Sequence, residues 1–158
     1  MNLLRCLLIL CCFSAYSQKV MPNISLKNIE NQTISINEAF AEKDKIYVFS
    51  FWATWCAPCI NELEAIAENY ESWQKEINFE VIAVATDDAR TQKRIKPLLN
   101  GKDWTFKILL DSNQDLKRAL GIVNIPYTVV VKNNKIVHIQ NGYAQGEEKQ
   151  LFSTLKNL

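Results

Sequence analysis

The sequence predicts a single α/β domain that combines parallel and antiparallel strand pairing, with a β-hairpin at its N-terminal side. Three observations predict it. Two apolar runs rich in β-branched and aromatic residues, Ile46 to Trp52 and Phe79 to Ala85, flank a segment whose apolar residues recur at three- and four-residue steps. Strand, helix and strand in that order form a βαβ unit, with parallel pairing and a right-handed crossover. Farther on, the polar tetrad Lys132-Asn133-Asn134-Lys135 joins two short β-prone runs, a hairpin that brings antiparallel pairing into the same chain. The 158 residues, 48% of them apolar, suffice for one core and fall short of two.

Each element can be justified in turn. Ile24 to Leu26 and Thr33 to Ile36 alternate apolar and polar residues across the turn residues 28–32, which reads as a hairpin. Residues 37–40 suit one helical turn. The strand Ile46 to Trp52 leads into a helix from Pro58 to about Ile77, with Leu63, Ile66, Ala67, Tyr70 and Trp73 as its buried stripe. The nearly unbroken run Phe79 to Ala85 suits a strand covered on both faces. Asp87 and Asp88 are placed to cap a helix over 89–99 that Pro97 bends or ends, with Arg90, Lys93, Arg94 and Lys96 on its solvated face. A strand at 106–110, a helix at 114–120 stopped by Gly121, strands at 127–131 and 136–139, and a final helix from Glu147 with Leu151, Phe152 and Leu155 inward complete the chain. Pro126 stands at a strand start because it has no N–H for the ladder. His138, the only histidine, falls on a half-exposed strand position.

Residues 1–17 read as a cleaved signal peptide and 18–158 as the folded domain. Arg5 precedes the apolar run Leu7 to Phe13, and Ala15 and Ser17 are small residues at the two positions read by a signal peptidase. The run is well short of the roughly 20 residues of a spanning helix, which disfavours a retained anchor. Lipid attachment at Cys11 or Cys12 is disfavoured because neither follows a small residue. An exported, periplasmic or otherwise extracytoplasmic location follows. Cys6, Cys11 and Cys12 leave with such a leader, so two of the five cysteines, Cys56 and Cys59, remain. The 18 basic and 17 acidic side chains nearly cancel, which excludes the electrostatic footprint of a nucleic-acid binder.

Those two cysteines sit in Trp55-Cys56-Ala57-Pro58-Cys59, at a strand-to-helix junction. A helix N-terminus offers unpaired N–H groups and the positive end of the dipole, both of which favour a thiolate at Cys56. The C-x-x-C spacing brings the sulfurs within bonding reach across one turn, and Pro58 suits a first-turn position. The pair therefore reads as a dithiol/disulfide switch. Half of a zinc site and a purely structural disulfide are the alternatives. The first lacks further ligands, with no other cysteine and one histidine in the mature chain.

The stretch Phe51-Trp52-Ala53-Thr54-Trp55-Cys56-Ala57-Pro58-Cys59 resembles the active site of the thioredoxin superfamily, and Ile60-Asn61-Glu62-Leu63 resembles its extracytoplasmic TlpA/ResA-like branch. The resemblance covers residues 24–158. It departs from the pattern twice: Ile60 stands where a basic residue is usual, and Ser50 stands where cytosolic thioredoxins carry a buried aspartate. It implies a thioredoxin-like three-layer sandwich with a mixed central sheet and an N-terminal hairpin at the sheet edge. It also implies Cys56 as nucleophile, Cys59 as resolving cysteine, and Glu62 as the acceptor and donor of the Cys59 proton. Pro126, in Ile125-Pro126-Tyr127-Thr128, resembles the cis proline that faces the C-x-x-C, with Ile125 and Trp55 meeting substrate. Helical spacing alone puts Glu62 near the edge of the buried stripe.

The implied function is thiol–disulfide exchange with protein substrates, in the reducing direction, with cytochrome c maturation as the best-known task of such proteins. No cofactor and no metal are implied, a membrane-embedded electron donor is, and a monomer is expected. Three rival functions share the fold. A thiol peroxidase would show Pro-x-x-x-Thr-x-x-Cys, whereas Thr54 precedes Cys56 by two residues and no proline lies upstream in the strand. Copper delivery would favour C-x-x-x-C with a histidine, and a redox-silent interaction module gives no reason to keep both cysteines beside Trp55 and Pro58.

Overall fold

The computed structural model describes residues 19–158, so the signal peptide expected at 1–17 lies outside the described residues. Among the described residues, seven strands form one mixed sheet: β1 (Ser25–Asn28), β2 (Thr33–Ser35), β3 (Ile46–Trp52), β4 (Phe79–Ala85), β5 (Lys107–Leu110), β6 (Tyr127–Lys132) and β7 (Lys135–Asn141). Their spatial order is β2-β1-β5-β4-β3-β6-β7. The β3, β4 and β5 pairings are parallel, and the remaining ones are antiparallel. The N-terminal hairpin joins β5 and forms one edge of the sheet.

Alternation along the buried strands sends side chains to two cores. From β3, Tyr47, Phe49 and Phe51 face α1 (Ile36–Ala39) and α4 (Asp115–Leu120), packing with Phe40, Leu116 and Leu120. Ile46, Val48 and Trp52 face the opposite layer, where α2 (Ala57–Gln74) and α5 (Glu147–Lys156) lie, with Leu63, Ile66, Leu151 and Leu155. Phe152 stacks on Trp73 with ring centroids 4.5 Å apart and locks α5 to α2. A sheet covered on both faces explains why its central strands read as continuous apolar runs. Leu63 is fully buried at the centre of α2. Leu63→Ala should lower unfolding free energy by about 2–5 kcal/mol, read as a lower urea midpoint at unchanged m-value.

The main departure from the sequence reading lies between β4 and β5. In place of one helix over 89–99 there is a 3₁₀ turn at Gln92–Arg94 and a short helix α3 (Ile95–Leu99). Asp88 holds the preceding bend, its Oδ1 accepting the N–H groups of Arg90 at 2.9 Å and Thr91 at 3.2 Å. Pro97 bends nothing, because it sits in the first turn of α3, where helix N–H groups have no partner to lose. Asp87 does not cap this segment; it turns back toward β3. The α2 helix also starts one residue earlier and stops sooner than its pattern suggests, with the N–H groups of Glu76 and Ile77 both closing on the Trp73 carbonyl. Gly121 ends α4 with φ 73°, a left-handed conformation that suits glycine. His138 is half-buried on β7, opposite Val130.

Candidate active site

Parallel strands deliver chemistry to their C-terminal ends, and here β3 and β4 end beside the first turn of α2. The link from β3 to α2 is four residues long. The N–H of Cys56 closes a turn on the Ala53 carbonyl at 3.0 Å, and Cys56 occupies the N-cap of α2 in extended conformation. Pro58 follows in the first turn, where its missing N–H costs nothing. Cys56 and Cys59 are joined by a disulfide with Cα atoms 5.3 Å apart, within the usual range for such a bridge. Access to the two sulfur-bearing residues differs: Cys56 is 5% exposed and Cys59 0%. Cys56 is thus more enclosed than a bare helix N-terminus implies, while Cys59 is sealed. Trp55 stands out beside them, 61% exposed.

The Ile125–Pro126 peptide bond is cis. β6 pairs with β3 through Phe51↔Tyr127, so Pro126 continues that register opposite Trp52, where the loop toward Cys56 departs. Ile125 packs on the core cluster that contains both cysteines. The structure therefore brings Cys56, Cys59, Ile125 and Pro126 to one end of the sheet.

Glu62 lies one turn beyond Cys59 on the same face of α2. It is not at the edge of the buried stripe but inside it, 1% exposed. What admits a carboxyl there is a pair of hydroxyls on the sheet. Ser50 of β3 and Thr128 of β6 are directly opposed across the ladder. Ser50 Oγ donates to Glu62 Oε2 at 3.1 Å, and Thr128 Oγ1 donates to Oε1 at 3.0 Å. Burial pushes the Glu62 pKa up to about 7; the two hydroxyl bonds hold it back from rising further, and the negative charge of Glu147 adds to the rise. A carboxyl that titrates near neutrality inside the core can both take and give a proton there.

Ser50 and Asp87 are among the residues of this site that escape a reading of the sequence alone. Ser50 is a small polar residue in the middle of an otherwise apolar strand, on the face that alternation turns toward α2, and that is the available signal for it. Asp87 is the other: it is buried just beyond the end of β4 and its carboxylate binds Thr54 in the active-site loop. Its adjacency to Asp88 mimics a helix cap.

The chain is similar in sequence to the thiol-disulfide oxidoreductase ResA of Bacillus thuringiensis subsp. konkukian, with 26% identity over 89% of this chain and 77% of that protein. The thioredoxin-like protein YneN of Bacillus subtilis is 29% identical over 73% of this chain and 65% of its own length. Among solved structures, a thioredoxin-like protein from Porphyromonas gingivalis superposes with a TM-score of 0.76 and 41% identity, covering 87% of this chain and 90% of the other. StoA from Bacillus subtilis shares the fold, with a TM-score of 0.66 at 24% identity over 84% of this chain and 98% of the other. The model of the AhpC/TSA family matches residues 18–139. With a bridged Cys56–Cys59 pair on a thioredoxin-like scaffold, the chain belongs to the AhpC/TSA family and is a thiol–disulfide oxidoreductase.

Proposed function

We propose that this oxidoreductase works outside the cytoplasm as a reductant of protein disulfides. The observation that carries the reading is the unequal burial of the bridged pair, with the sealed Cys59 one turn from the enclosed carboxyl of Glu62. In the reduced protein, the Cys56 thiolate attacks a substrate disulfide. One substrate sulfur leaves as a thiolate and takes a proton from solvent, and a mixed disulfide to Cys56 forms. Cys59 then gives its proton to the Glu62 carboxylate and attacks Cys56 Sγ. The second substrate sulfur departs as a thiolate and takes up the proton held by Glu62, and the Cys56–Cys59 disulfide is left. Two electrons from a membrane-embedded donor, the partner that the family resemblance implies, and two protons from solvent restore the dithiol. The backbone of Ile125, the cis Pro126 and the exposed Trp55 form the surface against which the substrate segment lies. Apocytochrome c thiols are one client class that fits.

Charge supports the direction. A strongly oxidising couple needs its reduced, thiolate form stabilised. Here Ile60 follows Cys59 in place of a cation, so no positive side chain at that position stabilises a thiolate. The export reading rests on the 1–17 leader, and no helix among the described residues is long and apolar enough to cross a membrane. Equilibrating the couple against glutathione should give a potential nearer thioredoxin's roughly −270 mV than the roughly −120 mV of DsbA. A value at the oxidising end would make the protein a disulfide donor.

A further inference from the structure

Asp87 is a buried carboxylate that the exchange steps above do not use. Beyond the end of β4 the chain continues as Thr86-Asp87 and runs beside the loop that leaves β3. Thr86 donates both its N–H, at 2.8 Å, and its hydroxyl, at 3.0 Å, to the Trp52 carbonyl. Asp87, 1% exposed, continues the same seam. Its Oδ2 accepts the N–H of Thr54 at 2.9 Å and its Oδ1 accepts the Thr54 hydroxyl at 2.6 Å. Both carboxylate oxygens are therefore occupied by donors of one residue, and that residue lies two positions before Cys56. The loop 53–55 has no helix or strand ladder of its own to fix it. Its remaining internal tie is the Cys56 N–H to the Ala53 carbonyl. A charge-assisted bond at 2.6 Å from the half-buried Thr54 to the buried Asp87 is a strong restraint on so short a segment.

We propose that Asp87 is a positioning residue for the redox pair: through Thr54 it fixes the loop that presents Trp55 and Cys56, and its buried negative charge beside that loop biases the couple toward the disulfide. The inference rests on the assignment of Cys56 as the attacking sulfur. Two effects follow, and they separate by substitution. Thr54→Val keeps the shape and charge of the site but removes the hydroxyl donor; Thr54→Ser keeps both donors. Asp87→Asn keeps the shape and one acceptor but removes the charge.

The experiment measures, for the reduced full chain and each variant, the rate of exchange with oxidised glutathione, the equilibrium with the glutathione couple, and the urea midpoint. Thr54→Val should slow exchange at least fivefold with its equilibrium unchanged, and Thr54→Ser should exchange at the wild-type rate. Asp87→Asn should shift the equilibrium about tenfold toward the dithiol, which is about 30 mV for two electrons. A merely structural contact would lower the urea midpoint and leave the potential where it is. Thr54→Val exchanging at the wild-type rate would overturn the tether, and an Asp87→Asn equilibrium equal to wild type would overturn the charge effect. If Asp87→Asn fails to fold, the Thr54 pair still decides the positioning role. Failure of the parent assignment appears elsewhere, as exchange retained by Cys56→Ser.

Discussion

Cys59→Ser should accumulate mixed disulfides with protein substrates, and Cys56→Ser should accumulate none and lose at least about a thousandfold in exchange rate. The two serines are near-isosteric with the cysteines they replace, so the core that surrounds both is preserved. The asymmetry comes from access. A substrate sulfur can approach Cys56, which retains some exposure at the N-cap of α2, and cannot approach Cys59, which has none. Without Cys59, the first step still proceeds: Cys56 attacks, a substrate thiol leaves, and the intermolecular bond persists because no internal thiol displaces it. Without Cys56, the remaining thiol is walled in by α2 and the sheet. The check is non-reducing electrophoresis of each variant after incubation with a disulfide-bonded protein such as insulin, followed by identification of the bridged cysteine. Equal capture by both variants would reverse or erase the order of attack.

How much of this was legible beforehand depends on the distance over which each feature is encoded. The α2 stripe, the βαβ order, the two hairpins and the Gly121 stop are local patterns, and they appear where the sequence puts them. Ile125-Pro126 and the C-x-x-C were legible as motifs. Ser50, Glu62 and Thr128 were not legible as one unit, because their contacts span 12 and 66 residues. Helical spacing alone therefore leaves Glu62 at the margin of the stripe, whereas two hydroxyls on the opposing sheet let it sit fully inside. The 87–99 segment misleads for the opposite reason. Paired aspartates before a basic run imitate a helix start, yet Asp87 is held by Thr54, 33 residues away, and only Asp88 acts locally. The resulting bend delays the helix until Ile95.

Glu62→Gln should make the protein more stable than wild type at pH 8, by about 3 kcal/mol, while leaving the two close at pH 4. The sign follows from the direction of the shift. Burial raises the folded-state pKa of Glu62 from an ordinary 4.5 to about 7, so the folded protein holds this proton more tightly than the unfolded chain does. Stability is then greatest below the unfolded value, falls as pH rises from about 4.5 to about 7, and stays reduced above that. Glutamine carries no proton to lose, and its amide finds partners because the Ser50 and Thr128 hydroxyls accept as well as donate. Glu80 and Glu148, whose pKa values are lowered, titrate below this window and leave it undisturbed. Kinetics should move the other way. In wild type the resolving step quickens as the carboxylate appears near pH 7, and the variant lacks that rise, with exchange slower by about a hundredfold. Urea unfolding of the oxidised proteins from pH 4 to pH 8, and exchange rates of the reduced proteins from pH 5 to pH 9, measure the two effects. A stability difference that does not change with pH would mean that the carboxyl ionises without penalty. Superimposable rate curves would take Glu62 out of the chemistry and leave it a buried structural acid.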